Sequence, residues 1–368
     1  MSEDLEGILV VALEQAVAAP YCTRLMAESG ARVIKLERPD GDFARAYDGI
    51  LDGDSAYFVW LNAGKESIKV DLRTKEDKRL LWSMLSKADV FIQNLRPGAA
   101  DKLGFSYQEV RKINQSIVMC SISGYGTEGS YSKMKAYDAL IQAESGLCSV
   151  TGMPDQPAKV GASIVDISTG LSAYGEILKA LLVKMRTGKG RHIQLSLFEV
   201  LSEWLAVPLS YFEYGNKLLT GTGMDHGQIC PYGAYNASDG QIFIVIQNHA
   251  EWVRLCEEVL ECPSLVDDIR YESNVARMQN KEALRDAIEL VFKTMPRQQL
   301  QEKLLSSGVA CGNINDLSGL SKHPALLRKT VQSSGKQFSL VRRVGDSGND
   351  AVVPSLGQHT EIINKEFS

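Results

Sequence analysis

The sequence predicts an α/β protein with a large domain built on a parallel β-sheet and a smaller α+β domain. Over residues 1–197, short apolar runs typical of strands alternate with patterns in which apolar residues recur every three to four positions. That alternation is typical of parallel sheets covered by helices on both faces. After residue 198 the pattern changes to an aromatic-rich helix, a glycine-rich stretch, and a hairpin followed by polar helices. With 368 residues, 44% of them hydrophobic, the chain is long enough for two domains.

Each element of the first part is bounded by residues that start or stop it. One helix begins near Pro20 and stops before Gly30, and another stops before Gly188. Proline is favoured in the first turn of a helix, and glycine just after the last turn. In chain order, the predicted strands are 9–13, 32–37, 67–72, 90–94, 117–123 and 192–197, and the predicted helices are 20–29, 76–88, 99–114, 137–147 and 171–186.

The second part predicts a domain of its own. A hairpin over residues 234–247 turns at Ser238-Asp-Gly240, which is turn chemistry. A further strand at 338–344 lies in a tail too short for a third domain. The predicted organisation is a large domain over 1–197 and about 322–368, a linker over 198–231, and a small domain over 232–321.

Charge and cysteine content exclude several classes of function. A net charge of -5 gives no general attraction for nucleic acid or anionic membranes, so an anionic ligand needs a local cluster of cations. The acidic N-terminal residues and the short apolar run after them predict neither a signal peptide nor a membrane span. Seven scattered cysteines without a C-x-x-C pair fit free thiols, and we expect a cytoplasmic protein without a metal site.

The sequence allows two interpretations of the Asp166 carboxylate. It lies in the apolar stretch 159–170, just before the predicted helix 171–186. As a helix cap it would stabilise the protein by about 1 kcal/mol. As a poorly hydrated carboxylate among Val and Ile side chains, it would instead be a nucleophile. These residues alone leave both interpretations open.

A glycine pattern and a set of cations are the other candidate ligand sites. Gly124-Tyr-Gly-Thr-Glu-Gly129 has the spacing of a dinucleotide loop, but no strong helical pattern opens at Gly129, so the match is weak. Neither His192 nor His226 has a partner at metal-ligand spacing. The cations follow predicted strands and are either solvated surface charges or a site for a phosphate-rich ligand. They are Arg38, Arg73, Arg96, Lys102 and Lys135.

Eight parts of the chain, spread over its first 170 residues, carry a resemblance: 14–16, 31–38, 62–73, 94–104, 123–126, 136–138, Asp166 and 169–170. In this order they resemble the family III CoA-transferases, the group that contains formyl-CoA:oxalate and L-carnitine CoA-transferases. The resemblance implies that Asp166 is a nucleophile and that Ser168 takes over the capping of the helix. It also implies a CoA site formed by Gln15, Arg38, Arg73, Asn94, Lys102, Lys135 and Tyr137.

The resemblance further implies a Rossmann-like large domain and a ring-shaped chain in an interlocked homodimer. No tightly bound cofactor is expected, because the CoA thioester is itself a substrate. Where family members have a run of glycines for the oxyanion, this chain has Met224-Asp-His-Gly-Gln, and only Gly227 matches. His226 or Arg45 is a candidate to bind a second carboxylate.

The substrate is expected to be a dicarboxylate of four or five carbons. Residues 136–152 and 247–252 resemble the branch that acts on succinate, mesaconate, itaconate and citramalate. The resemblance leaves two alternatives. One is an α-methylacyl-CoA racemase, but this chain has Tyr137-Asp138 where racemases have a His-Asp pair, and a tyrosine with a pKa of about 10 is a poor base. The other is a non-catalytic CoA-binding scaffold, which the joint presence of Asp166, the cations and Tyr137 disfavours.

Overall fold

The computed structural model describes residues 4–346 and 350–368. The chain divides into two compact units. The first runs to residue 148 and includes 159–215 and 327–368, and the second comprises 149–158 and 216–326. The predicted linker 198–231 is therefore not a single connection. Residues 198–215 form helices of the first unit, because Leu197 and Leu201 are buried in its hydrophobic core.

The elements follow the predicted alternation through the first part of the chain. The strands are β1 (Leu9–Leu13), β2 (Arg32–Glu37), β3 (Glu66–Lys69), β4 (Val90–Gln93), β5 (Val118–Ser123), β6 (Gly152–Met153), β7 (Gln156–Pro157), β8 (His192–Ser196), β9 (Tyr232–Ala237), β10 (Gly240–Val245), β11 (Ala310–Asn313), β12 (Arg328–Ser333), β13 (Lys336–Val341) and β14 (Ala351–Val352). The helices are α1 (Ala18–Ala27), α2 (Ala56–Asn62), α3 (Lys75–Lys87), α4 (Ala99–Leu103), α5 (Tyr107–Ile113), α6 (Asp138–Glu144), α7 (Leu147–Val150), α8 (Ile164–Thr187), α9 (Leu197–Trp204), α10 (Ala206–Glu213), α11 (His249–Arg254), α12 (Asn274–Gln279), α13 (Lys281–Phe292), α14 (Arg297–Ser306), α15 (Leu317–Ser321) and α16 (Thr360–Phe367).

Six strands of the first unit form a parallel sheet in the order β3-β2-β1-β4-β5-β8, which confirms the predicted sheet. The chain moves outwards from β1 to β2 and β3, and then returns to the other side of β1 to form β4. The strand order therefore reverses between β1 and β4. In open α/β sheets, such a reversal opens a crevice at the carboxyl ends of the strands where ligands bind.

Helices cover both faces of this sheet, as predicted. Val10 and Ala12 of β1 point into the hydrophobic cluster shared with α1 and α8. Val11 and Leu13 point into the cluster shared with α3, α5 and α16. Successive side chains of a strand face opposite sides, so β1 is apolar on both.

Two predicted helices differ most from the structure. The single helix predicted over 99–114 is two helices, α4 and α5, because Gly104 adopts a φ of 99° and ends the first. The helix predicted from residue 171 begins at Ile164. Gly170 lies inside it, where a Cβ atom would come within 2.5 Å of the carbonyl oxygen of Ala18. The glycine therefore serves close packing between α1 and α8 and does not mark a helix end.

The second unit has its own sheet and core. β9 and β10 pair antiparallel as the predicted hairpin, and β11 extends the sheet on the β10 side. Trp252, Ile288 and Phe292 are fully buried in its hydrophobic cluster. The tail strand predicted at 338–344 is β13, which pairs with β12 in the first unit. Among the described residues, no helix is both long enough and apolar enough to span a bilayer.

Candidate active site

Helix α8 brings Asp166 to the carboxyl edge of the large sheet. The helix leads directly into β8, the parallel neighbour of β5, so it runs against the strands and begins at their carboxyl ends. In the same way, α1 begins at the end of β1 and connects it to β2. Gly170 of α8 packs against Ala18 at the start of α1. Asp166, one turn before Gly170, therefore lies at the edge where ligands bind in this kind of sheet.

The Asp166 carboxyl group is partly buried, and this changes its acidity. Burial, together with the negative charge of Asp138, raises its pKa from 3.8 to about 7. At neutral pH both the ionised and the protonated form are populated. An ionised carboxylate in this place is poorly hydrated, and poor hydration makes a carboxylate a better nucleophile.

Asp138 caps the helix that carries Asp166. The N-cap residue of α8, Ser163, makes no capping bond with its side chain. Instead, Oδ1 of Asp138 accepts hydrogen bonds from the backbone N–H groups of Val165 at 2.8 Å and of Asp166 at 3.2 Å. The prediction that Ser168 caps this helix is wrong. Its hydroxyl group lies inside the helix and donates to the carbonyl oxygen of Val165 at 3.0 Å.

A buried glutamine holds Asp138 in place. Nε2 of Gln142 donates to Oδ2 of Asp138 at 2.7 Å, and Oε1 of Gln142 accepts from the backbone N–H of Val160 at 2.8 Å. Neither Asp138 nor Gln142 was predicted to have this role. The signal was their spacing of four residues, which places them on one face of a helix.

Three tyrosines surround the start of α8. The pKa of Tyr47 is raised to about 12 by burial, by Asp42 and Asp166, and by the neighbouring phenols of Tyr137 and Tyr57. The rings of Tyr47 and Tyr57 meet edge to face at 5.5 Å. The Tyr57 hydroxyl group lies 3.4 Å from that of Ser163, the N-cap of α8. The structure thus brings the predicted residues Asp166 and Tyr137 into one region. Tyr47 and Tyr57 lie in the same region and were not predicted from the sequence.

Gln15 and Asn94 meet where the strand order reverses. Gln15 follows β1, Asn94 follows β4, and the two residues are joined by a pair of hydrogen bonds. The Gln15 N–H donates to Asn94 Oδ1 at 3.0 Å, and Asn94 Nδ2 donates to the Gln15 carbonyl oxygen at 2.8 Å. Next to them, Ala16 has a φ of 62° and donates its N–H to Oδ1 of Asp42 at 3.2 Å. This turn is therefore fixed from both sides.

Buried ion pairs next to the same turn stabilise it. Lys65 lies 2.8 Å from Glu14, and Lys35 lies 2.9 Å from Asp42. Burial alone would raise the pKa of Glu14, but the two lysines outweigh it and lower that pKa. Removing one partner of such a network leaves an uncompensated buried charge, so the network acts as a rigid base for residues 14–16.

Comparison with known proteins gives these features a common context. The chain matches the model of CoA-transferase family III over residues 5–360. The chain belongs to this family. It is 33% identical over 372 residues to the acetyl-CoA:oxalate CoA-transferase of Acetobacter aceti, covering 99% of this chain and 95% of the relative. It is 32% identical over 379 residues to the succinyl-CoA:glutarate CoA-transferase of Mus musculus, covering 98% and 86%.

A solved structure of the family has the same fold. The crystal structure of a CAIB/BAIF family protein from Brucella suis superposes with a TM-score of 0.85 at 33% identity, covering all of both chains. The α/β architecture with a large parallel sheet is thus shared with this member of the family. This CoA-transferase acts on acyl-CoA thioesters.

The predicted CoA-binding cations of the enzyme are exposed at the carboxyl edge. Arg38 follows β2 and lies 3.8 Å from Asp40, while Arg73 follows β3 and lies 2.7 Å from Asp71. Exposed pairs of this kind contribute about 0–1 kcal/mol, so either arginine can exchange its partner for a phosphate at little cost. Lys102 and Lys135, which follow β4 and β5, are exposed as well.

Arg45 has a structural position in the CoA-transferase. Its guanidinium group donates to both carboxylate oxygens of Glu37, at 2.8 and 2.7 Å, and to the carbonyl oxygen of Pro354 at 3.1 Å. It also lies 3.7 Å from the centre of the Phe58 ring. These contacts use the side chain to hold the protein together, and they do not favour the predicted role of Arg45 in binding a substrate carboxylate.

His226 and Gly227 lie in the second unit, in the loop that precedes β9. Nδ1 of His226 accepts from the backbone N–H of Gln228 at 3.0 Å, and the ring lies 4.9 Å from that of Tyr232. Gly227 is exposed. Asp225 anchors this loop to Arg285 at 2.6 Å. The predicted roles of His226 and Gly227 toward the oxyanion and the substrate stay predictions.

His192 has a structural environment. Its Nε2 lies 2.9 Å from the hydroxyl oxygen of Ser121, and its ring stacks on that of Tyr107 at 5.0 Å. Burial lowers its pKa, which favours the neutral imidazole. Within residues 4–346 and 350–368, no group of three or more His, Cys, Asp or Glu side chains is arranged to hold a metal ion.

Proposed function

We propose that this enzyme transfers CoA from a dicarboxylyl-CoA to a second dicarboxylic acid, with Asp166 as the nucleophile. The observation that carries the proposal is the Asp166 carboxyl group, partly buried in the first turn of α8 and with a pKa raised to about 7. The Acetobacter and mouse relatives act on oxalate and glutarate, and both are dicarboxylates. Succinyl-CoA or a related C4–C5 thioester is the proposed donor, and mesaconate, itaconate or citramalate the proposed acceptor.

The reaction proceeds by repeated attack at carbonyl carbons. Ionised Asp166 attacks the thioester carbonyl of the donor, the C–S bond breaks, and a mixed anhydride and CoA thiolate form. The thiolate then attacks the aspartyl carbonyl and releases the first acid, leaving CoA attached to Asp166 as a thioester. The carboxylate of the acceptor repeats the two steps in reverse order. No redox change and no further reactant is needed.

We place CoA along the carboxyl edge of the parallel sheet. Phosphates are bound well by arginine forks and lysine point charges, and this edge carries Arg38, Arg73, Lys102 and Lys135. The reversal of strand order beside Gln15 and Asn94 gives the crevice. Tyr137, which is 61% exposed, is the neighbour in sequence of Asp138, which accepts the backbone N–H of Asp166. The pantetheine arm would then direct the thioester toward the first turn of α8.

A panel of acceptors tests the substrate class. Succinyl-CoA is offered together with mesaconate, itaconate, citramalate, glutarate or oxalate, and in parallel with propionate or butyrate as matched monocarboxylates. We expect CoA transfer to at least one diacid, with kcat/KM at least about tenfold above that for any monoacid, because a missing polar partner costs a site more than 1.4 kcal/mol. Equal rates with the monoacids would refute the dicarboxylate assignment.

Trapping with hydroxylamine tests the nucleophile. After incubation with acyl-CoA, peptide mapping is expected to find the hydroxamate at Asp166 and not in the Asp166→Asn variant. Labelling at another carboxylate contradicts the assignment. Exchange of the acyl α-proton without any acceptor would instead favour the racemase, and CoA binding without transfer would favour the scaffold.

A further inference from the structure

The helix of the nucleophile is capped from another helix. Asp138, in the first turn of α6, accepts the backbone N–H groups of Val165 and Asp166 with a single carboxylate oxygen. These are two of the N–H groups that an α-helix leaves without a partner inside itself. The backbone at Asp166 is therefore bonded directly to Asp138.

The cap itself is fixed by a fully buried side chain. Gln142 donates to the other carboxylate oxygen of Asp138 and accepts from the backbone N–H of Val160. One residue thus holds both the Asp138 carboxylate and the segment that leads into α8. Rotation of Asp138 away from the helix would break three hydrogen bonds at once.

The same arrangement affects the charge of the nucleophile. The N–H groups of Val165 and Asp166 are used by Asp138, so they do not stabilise an anion on the Asp166 side chain. Two ionisable groups from other elements interact with Asp166: Asp138 of α6, and Tyr47 after the 3-10 turn Phe43–Ala46. Tyr137, just before α6, interacts with Tyr47. Tyr47, with a pKa of about 12, is neutral at physiological pH. Among the described residues, Asp138 is the charged group that acts on the Asp166 carboxyl.

We propose that Asp138, held by Gln142, is a positioning residue that fixes the backbone of the nucleophile and weakens the stabilisation of its anion. The inference rests on the proposed role of Asp166. A carboxylate that is less stabilised by its surroundings is the better nucleophile, because less stabilising interaction is lost when it attacks. Asp138 itself touches neither the thioester nor the acceptor in this assignment.

The pH dependence of a single turnover tests the charge effect. Asp138→Asn keeps an oxygen that can accept the two N–H groups but removes the charge. We expect the acid limb of the acylation rate, measured by rapid quench with succinyl-CoA, to move by about one unit or more to lower pH, since that is the effect of removing a neighbouring like charge. Glu144→Gln, which removes an exposed charge two turns along the same helix, is the matched control and leaves the acid limb in place.

Asp138→Ala separates positioning from charge. It removes the cap as well, and we expect a loss of acylation rate on the order of 100-fold beyond that of Asp138→Asn, the size of effect that follows a small displacement of a reacting group. If Asn and Ala variants lose the same activity and neither moves the acid limb, Asp138 is merely structural and the inference is wrong.

A second measurement does not depend on catalysis. The pH dependence of urea unfolding is compared among the wild type, Asp138→Asn, Asp166→Asn and the double variant. The unfolded-state pKa fixes the pH at which the stabilisation gained from Asp166→Asn begins, so in the Asp138→Asn background this gain is expected to level off at a lower pH and at a smaller value. If it levels off at the same pH and the same value in both backgrounds, the electrostatic coupling is absent. If coupling is present but hydroxylamine labels another residue, the proposed function fails while the contact stands.

Discussion

At the scale of single residues, the Asp166 carboxyl group lies at the carboxyl edge of the parallel sheet, where ligands bind, and is nevertheless poorly hydrated. Among the residues that the structure describes, the groups that interact with it supply no positive charge: Asp138 is an anion, and Tyr47 carries a neutral phenol at physiological pH. In a protein selected only for stability such a group would be unfavourable, because each unit by which its pKa rises costs about 1.4 kcal/mol once it ionises. Perturbed carboxyl groups of this kind are typical of functional sites.

The stability cost of Asp166 is measurable. Its folded pKa of about 7 lies above the unfolded value of 3.8, so the folded state binds more protons between these values, and stability falls as pH rises through that window. Below pH 3.8 the cost is absent, and above pH 7 it is complete. We expect Asp166→Asn to be more stable than the wild type by up to about 4 kcal/mol at pH 8 and by much less at pH 4.5.

Urea unfolding at pH 4.5, 6, 7 and 8 checks this prediction. Asp155→Asn, which removes an exposed carboxylate, serves as the control and shows no comparable gain with pH. A constant difference between Asp166→Asn and the wild type across these pH values contradicts the raised pKa. A loss of transfer activity in the same variant, with CoA binding retained, is expected from the proposed chemistry.

At the scale of elements, the active site depends on how closely α8 approaches α1. Gly170 allows this approach, since a Cβ atom there would come within 2.5 Å of the Ala18 carbonyl oxygen and 3.0 Å of the Tyr21 side chain. Further along α8, Ala173 and Ile177 are fully buried in the shared core. The position of Asp166 beside the turn at residues 14–16 follows from this packing.

Two glycines of α8 form a matched pair for testing it. Gly170→Ala is expected to destabilise the protein by about 1–3 kcal/mol, because backbone of α1 has to move to make room. Gly175→Ala, in the same helix with nothing within 4 Å of the added Cβ, is expected to stabilise by up to about 1 kcal/mol. Thermal or urea unfolding of both variants measures the two changes in the free energy of unfolding. Equal effects of the two substitutions would contradict the close packing at Gly170.

The elements also show what the sequence could predict. Strands β1 and β2 match the predicted ranges 9–13 and 32–37, because both are apolar runs between clear stop signals. The start of α8 was missed, since Ser168, Thr169 and Gly170 are weak helix formers that tertiary packing keeps in the helix. The Asp138 cap joins residues 27 and 28 positions apart, so no local pattern could reveal it. The residues around Asp166 allowed both a cap and a nucleophile, and only the resemblance to the family favoured the nucleophile.

At the scale of the whole molecule, one surface of the first unit is unusually apolar. Helix α10 has no buried residue, yet its sequence is Ala-Val-Pro-Leu-Ser-Tyr-Phe-Glu. Val207 is 66% exposed and Phe212 54% exposed, and Trp204 and Tyr214 on either side of the helix are exposed as well. Contiguous apolar surface of this kind marks a protein interface. It supports the homodimer that the family resemblance implies, and the interlocked form of that dimer stays a prediction.

Phe212→Glu on this surface tests the dimer. Placing a charge inside an apolar interface leaves it desolvated and without a partner, which costs several kcal/mol, so we expect the dissociation constant to rise by at least about 100-fold. Sedimentation velocity over a concentration series measures it, and circular dichroism confirms that the variant is folded. Leu290→Glu, at a position 77% exposed on α13 of the second unit, is the matched control. A wild-type protein that sediments as a monomer at all concentrations, or a Phe212→Glu variant that dimerises as tightly as the wild type, would show that α10 does not form the dimer interface.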